Sequence, residues 1–326
     1  MVVSAPVSSQ ITIILPVYGR SKLLAEAWAS VQAQSDPDWH LIIADDGSDS
    51  ATTDFIKSGP ALDYRTTWVR RPSNLGLFSN LNLAIDEYLQ SWCLLLCSDD
   101  RLLPDAISNL RTLHKKWPNV ELIISTHLSI DSQGASIPSL STIYHNKVSM
   151  NTVVFEPNIF VPLLLRWGSL NGNLSGMAFS LNLWRASGSF RTDWSHAADW
   201  EWLIRASEHA PVLFNRQFLV EVRTHIDQLS NANRKSGNEL LEVSSVVKLL
   251  LNHAFLSTEP KRFSWAAHRL QFQLWNLLKI VLRGDYRTVA SRLALINSTV
   301  NLFHVLLALL AWLPKRLKYF LGFPNA

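Results

Sequence analysis

The residues best suited to chemistry are carboxylate pairs that end apolar runs. Trp92-Cys93-Leu94-Leu95-Leu96-Cys97 stops at Ser98-Asp99-Asp100, and Trp39-His40-Leu41-Ile42-Ile43-Ala44 stops at Asp45-Asp46-Gly47-Ser48. Adjacent carboxylates at the rim of a core repel each other and lose hydration, so a positive partner is expected there, most simply a divalent cation with oxygen ligands. Taken alone, Asp99 and Asp100 suit a solvated turn equally well, because Pro104-Asp105-Ala106-Ile107 reads as a helix start.

The elements that must position these pairs alternate strand and helix. Ile11 to Tyr18 reads as a first strand ended by proline and Tyr-Gly, and Ser21 reads as the cap of a helix to about Ala33 with Leu23, Leu24, Ala27 and Val31 on one face. Trp39 to Ala44 is a second strand and Tyr64 to Arg70 a third. A helix from about Ser79 to Gln90 delivers the chain to the Trp92 strand. Such βαβ units are right-handed and place their strand ends on one edge. Asp45/Asp46, Asn74 and Asp99/Asp100 therefore converge on one crevice, where uncompensated acidic groups cost stability unless a ligand uses them.

Composition bounds the rest. The 326 residues are 48% hydrophobic and 17% charged with a formal net charge of +4, a globular chain large enough for two domains. The basic excess gathers in the final third, which suits an anionic surface rather than nucleic acid. Cys93 and Cys97 lie four apart in a strand, about 13 Å by the strand rise, too far for a disulfide, and fit reduced thiols in the cytosol. Met1 to Gln10 has no basic flank and the apolar run after it is short, so a cytosolic start is expected. Neither G-x-G-x-x-G nor G-x-x-x-x-G-K-[ST] occurs. Without a glycine cradle a phosphate needs a cation to neutralise it, and carboxylates holding Mg²⁺ or Mn²⁺ supply one.

Pro16-Val17-Tyr18, Asp45-Asp46-Gly47-Ser48-x-Ser50, Asn74-Leu75-Gly76 with Asn80 and Asn82, and Ser98-Asp99-Asp100 with Pro104 follow one another in the order and spacing of the family 2 glycosyltransferases. The resemblance covers about the first 115 residues. It implies an α/β GT-A fold, mainly a parallel sheet flanked by helices. It also implies a nucleoside pocket of Pro16, Tyr18, Asp45 and Asp46 with Asn74, and a metal held by Asp99 and Asp100 against a donor diphosphate. Two positions depart from the family pattern: Gly19 replaces the usual Asn, and Cys97 replaces the first Asp of the longer carboxylate motif.

Further along, Leu122 to Ile130 reads as one strand, Asp131 to Asn158 as a mobile loop, Pro157 to Trp167 as a helix, and Asn171-Gly172-Asn173 as punctuation. Gly188-Ser189-Phe190 followed by Ala198-Asp199-Trp200 resembles the family's Gly-x-Phe turn and the helix that carries its catalytic base. That implies Asp199 as base, with Ala198 where a Glu often stands; a helix N-terminal carboxylate is the alternative. Glu201 is expected to be exposed or to support the base from behind, and Trp194, Trp200 and Trp202 to stack on a sugar or fill core. Phe218 to His225 reads as a last strand, similar to the family's Arg-x-His element. His225 is either a further metal ligand, a diphosphate contact or a structural residue.

After the polar stretch 231–237 the periodicity is helical. Ile296 to Leu313 is uncharged and precedes Lys315, Arg316 and Lys318, so it suits a spanning, an interfacial or a buried helix. The expected organisation is a nucleotide-sugar half over 1–115, an acceptor half over 116–232, and a helical, membrane-associated region over 233–326.

The resulting expectation is an inverting, metal-dependent transfer of a sugar from a nucleotide diphosphate to a hydroxyl of a glycan or lipid-linked acceptor, at the inner face of the cell membrane in surface polysaccharide synthesis. The Q-x-x-R-W element of processive relatives is absent, since Arg166-Trp167 has Leu163 where Gln should be. A nucleotidyltransferase and a catalytically idle sugar-nucleotide binder are the alternatives.

Overall fold

The computed structural model describes residues 10–320 apart from 172, 227 and 283. It divides into two compact units, Met1–Pro157 with Ser169–Gln228, and Asn158–Gly168 with Leu229–Ala326. Among the described residues of the first unit, β-branched and aliphatic runs form twelve strands: β1 Ile11–Val17, β2 Trp39–Asp45, β3 Thr66–Arg70, β4 Trp92–Leu95, β5 Arg101–Leu102, β6 Leu122–Ser125, β7 Leu128–Ile130, β8 Ser136–Ile137, β9 Val153–Phe155, β10 Ala178–Ser180, β11 Val212–Asn215 and β12 Val220–Arg223. Eight of them make one sheet in the order β3-β2-β1-β4-β10-β6-β11-β9, and β5-β12-β7-β8 make a second.

Strands β1 to β4 are mutually parallel, with Ile14 opposite both Ile42 and Leu95. Their near-continuous burial matches a sheet covered on both faces. The helix Ser21–Gln32 contributes by burying Leu24, Ala27, Trp28 and Val31, spaced for one face. The chain runs outward from β1 to β3 and then crosses to β4 on the other side of β1, so the strand order reverses there. Ligand crevices in open α/β sheets form outside the carboxyl ends of strands at such a reversal.

Several local expectations change. Ser21 is the first helical residue rather than the cap: Gly19 and Arg20 both take left-handed φ values, 67° and 64°, and turn the chain sharply off the rim. The run Leu122 to Ile130 is two strands in two different sheets, broken at the buried Thr126-His127. The segment expected as a mobile loop carries β8, the helix Leu140–Val148 and β9, and Ser139 caps that helix by accepting from the Thr142 amide.

Gly47 is where the turn after β2 needs glycine. Its φ is +78°, and a Cβ there would lie 2.9 Å from the Ser73 carbonyl carbon. Gly47→Ala therefore combines a left-handed backbone cost of about 1–2 kcal/mol with a backbone clash. Urea unfolding is expected to show a loss of about 2 kcal/mol or more. Gly59→Ala, at negative φ with only ordinary contact, is expected to be neutral or slightly stabilising in the same measurement.

The second unit is helical, with Leu229–Ser236, Asn238–Leu251, Arg262–Val281, Tyr286–Thr299 and Leu302–Phe320 following the Pro157–Trp167 helix. The uncharged stretch 296–313 is not one helix. It breaks at Val300-Asn301, where the Asn297 and Asn301 side chains accept from the Leu302 and Phe303 amides. No single helix among the described residues is long and apolar enough to cross a membrane; the pair Tyr286–Thr299 and Leu302–Leu313 passes on length and composition together but is bent by 99°. The side chains of Lys315, Arg316 and Lys318 lie outside the described residues.

Candidate functional site

Two antiparallel steps through β10 return β6 and β11 to the direction of β1 to β4. One sheet edge therefore collects Tyr18 after β1, Asp45 and Asp46 at the end of β2, Asp99 and Asp100 after β4, Thr126 and His127 after β6, and Arg216 after β11.

At the β1–β2 end the residues form a rigid rim. Asp45 is fully buried and accepts from the Ser48 amide at 2.8 Å and the Trp68 indole at 3.2 Å. Asp46, also buried, accepts from the Leu75 and Gly76 amides at 2.8 and 3.0 Å. Both carboxylates thus fix backbone: Asp45 shapes its own turn and Asp46 fastens the 74–76 loop beside it. Asn74 is exposed and accepts from the Gly76 amide at 2.8 Å. Asn80 donates to the Ala44 carbonyl, and Asn82 exchanges two hydrogen bonds with Phe190, so these two asparagines brace the rim from below. Pro16 is half-buried, and Tyr18 stands 59% exposed, a free aromatic face at the mouth.

The β4 end holds the most strained electrostatics. Asp100 is 1% exposed; its Oδ1 accepts from the Arg223 amide at 2.8 Å, and its Oδ2 from Ser175 Oγ at 2.5 Å and Asn173 Nδ2 at 3.1 Å. Asp99 Oδ2 meets His225 Nε2 at 3.0 Å and Arg20 Nη1 at 3.6 Å. Burial, together with the neighbouring Asp99 charge, pushes the Asp100 carboxyl up to about 8. The fully buried Arg223 braces the corner, donating from Nε to the Asp99 carbonyl and pairing through Nη2 with Glu26. Beside it opens a cleft of about 370 Å³ lined by Arg20, Ser21, Lys22, Leu23, Asp49 and His225.

The donor set can be tested against a cation. Ligand atoms of Cys97, Asp99 and Asp100 all lie within 4.8 Å of one another. The oxygens suit a hard divalent ion, which would also offset the burial and the Asp99 repulsion that raise the Asp100 carboxyl. The Cys97 thiol does not suit it: burial and then the two carboxylates raise its pKa well above the ordinary value, so it stays a neutral, soft donor. Within that cluster the oxygens of Asp99 and Asp100 are the donors that would suit Mg²⁺ or Mn²⁺; His225 touches Asp99 from outside it.

Asp199 lies in the first turn of the helix Ala198–His209, half-buried, with Oδ2 accepting from Asn171 Nδ2 at 2.9 Å. Burial pushes its pKa up, opposed by the Asn171 amide. Its neighbour Glu201 is neither exposed nor free: it is buried and grips Arg205 through two hydrogen bonds of 2.8 and 2.9 Å, while Arg205 also holds the Ser189 carbonyl. Trp202 is fully buried against Phe179, Trp184 and Phe190 and donates to the Gly188 carbonyl. Trp200 is 6% exposed, and Trp194 lies under the Arg191 guanidinium at 4.7 Å. Trp200 and Trp202 are thus buried inside the unit.

Sequence reasoning missed the segment that joins the two acidic centres. Asn171 holds Asp199, while Asn173 and Ser175, two and four residues on, hold Asp100, so one short loop fixes both. The available sign was the dense run of short amide and hydroxyl side chains over 169–175, which reads as turn punctuation until partners are known.

A mixed, mainly parallel sheet that reverses strand order beside paired carboxylates, and that carries a second carboxylate on a helix beyond them, is the architecture of the GT-A nucleotide-diphospho-sugar transferases. Residues 12–152 match the family model for Glycosyl transferase family 2. Among curated relatives, Glycosyltransferase GlyA of Streptococcus pneumoniae serotype 4 is 25% identical over 175 residues, which is 50% of this chain and 24% of the relative. The uncharacterized protein y4gI of Sinorhizobium fredii is 28% identical over 200 residues, 61% of this chain and 20% of its own length. The chain thus spans a quarter or less of these relatives. Of solved structures, S. aureus TarS 1–349 in complex with UDP-GlcNAc superposes with a TM-score of 0.67 at 11% identity, covering 94% of this chain and 92% of that one. The Pyrobaculum calidifontis mannosyltransferase PcManGT with GDP-Man and Mn²⁺ gives 0.52 at 16% identity over 89% and 85%. These similarities establish the GT-A fold.

Proposed function

We propose that the protein is an inverting, metal-dependent glycosyltransferase that moves a sugar from a nucleotide diphosphate to a hydroxyl of a glycan acceptor. The observation that carries this reading is one short loop whose Asn171 holds Asp199 and whose Asn173 and Ser175 hold Asp100, beside Asp99 at the end of β4. Tyr18 and the rim built on Asp45, Asp46 and Asn74 would hold the nucleoside, and Asp99, Asp100 and His225 the cation, which when bound neutralises the departing diphosphate. Asp199 takes the proton of the acceptor hydroxyl as it attacks the anomeric carbon from the face opposite the leaving group. Asn171 orients that carboxylate. The UDP-GlcNAc complex of TarS and the GDP-Man and Mn²⁺ complex of PcManGT support a nucleotide sugar with a metal on this fold.

A lipid-linked acceptor at the inner face of the membrane completes the proposal. The helix Leu302–Phe320 leaves Phe303, Leu306, Leu307 and Leu310 exposed, the apolar surface that an interfacial helix would bury in a bilayer.

The test is incubation with UDP- and GDP-sugars with and without Mn²⁺, reading nucleoside diphosphate release and the anomeric configuration of the product by NMR. Metal-dependent release with inverted configuration is expected; retained configuration would refute the role of Asp199. A pH profile adds a second check. Because the base must be ionised, kcat/KM should rise with pH through the raised pKa of Asp199, a limb above the usual carboxylate value near 4. Asn171→Ala removes a donor that lowers that pKa, so the limb should move to higher pH; a limb unmoved by the substitution would contradict the contact's role.

A further inference from the structure

The far end of the same sheet edge holds a cluster that neither the family motifs nor the metal site uses. Arg216 follows β11 and His127 follows β6, while His145 rises from the helix Leu140–Val148. Arg216 Nη1 donates to Thr126 Oγ1 at 2.6 Å, that hydroxyl meets His145 Nδ1 at 3.0 Å, and Nη2 donates to the Asn146 side-chain Oδ1. Both of these guanidinium partners, Thr126 and Asn146, are neutral, and Nε is enclosed without an acceptor. Among the described residues Arg216 forms no ion pair, whereas Arg20, Arg101, Arg205 and Arg223 each have a carboxylate. His127 and His145 are 5% and 2% exposed, and burial holds both near 4, so they stay neutral beside the arginine. Two buried, neutral histidines thus accompany a partly exposed guanidinium that has no ion-pair partner among the described residues.

The cluster adjoins the acceptor side. His145 Nε2 reaches the Leu170 carbonyl at 2.8 Å, and the next residue, Asn171, holds Asp199.

We propose that Arg216, with Thr126 and His145 behind it, is a subsite for an anionic group, a phosphate or a carboxylate, carried by the acceptor. The proposal rests on Asp199 marking the acceptor side. A charge-assisted contact to arginine discriminates strongly against a neutral acceptor, since the neutral one leaves the guanidinium unanswered.

The test follows the imidazole signals of the intact protein by NMR during separate titrations with inorganic phosphate and with acetate, without metal. Shifts at His127 and His145, saturating with at least one anion, are expected, and Arg216→Gln should weaken that binding about tenfold or more, the effect of a charge-assisted hydrogen bond. Arg216→Lys keeps the charge and should fall between the two, and a thermal melt of each variant checks folding. If only His225 moves, the anion binds beside Asp99 and the proposal is overturned. It is equally overturned if no histidine moves, or if Arg216→Gln binds as tightly as wild type. Release of nucleoside diphosphate by wild type, with water as acceptor, is measured separately; its failure would remove the transferase reading without touching the anion result.

Discussion

Asp199→Asn is expected to slow sugar transfer by about 10²–10⁴-fold, the range a positioned general base contributes, while nucleotide affinity stays within about twofold of wild type. Asparagine keeps the size of the side chain and an oxygen to accept from Asn171 Nδ2, so the loop that also braces Asp100 should not move. What is lost is the group that takes the acceptor proton. The loss should fall on kcat rather than on KM for the donor, because the contact matters only as the hydroxyl attacks. A rate within tenfold of wild type would mean that Asp199 is a helix N-terminal carboxylate, the role its position in the first turn also permits.

The second large effect is expected at Asp100. Asp100→Asn should abolish metal-dependent nucleotide binding and lower kcat/KM about a thousandfold or more, since a metal supplies several kcal/mol of charge stabilisation to the leaving diphosphate. The wild-type protein should report the same chemistry through stability. The Asp100 carboxyl, at about 8 in the fold, lies above its unfolded value near 4, so folding favours the protonated form. That contribution is complete below pH 4 and is lost as the pH rises through 8. With EDTA the melting temperature should therefore decline from pH 5 to pH 8 relative to Asp100→Asn, and Mn²⁺ should raise it most at pH 8, where the ion need not displace a proton. An equal Mn²⁺ effect at both pH values would remove Asp100 from the ligand set.

Much of the fold was legible because its rules are local. The runs that became β1, β2 and β4 are almost continuously buried, and acidic pairs mark where β2 and β4 stop. The crevice followed from handedness alone. What stayed hidden depends on contacts distant in sequence. Thr126 and His127 read as strand because both fit an apolar run; only burial of the break, with Thr126 bonded to His145, shows why the chain changes sheets there. Leu140–Val148 lacks the strong apolar stripe that announces a helix, so Ser/Asn-rich composition concealed it. The Asp45-Asp46 pair was recognisable as a motif, yet its hydrogen bonds to Trp68, Leu75 and Gly76 lie some twenty to thirty residues away. Likewise Asn173 and Ser175 gain meaning only from Asp100, more than seventy residues earlier. Arg216 gave no sequence sign, since a missing counter-charge is a property of the assembled corner.

The most direct test of the central claim is calorimetric titration of UDP, GDP and dTDP into the purified protein, with Mn²⁺ and with EDTA. Binding of one nucleotide in Mn²⁺ that disappears in EDTA is the predicted result, and it would set the donor class. If no nucleoside diphosphate binds under either condition, the site built on Tyr18, Asp46, Asp99 and Asp100 is not a nucleotide-sugar site, and the proposed transfer falls with it.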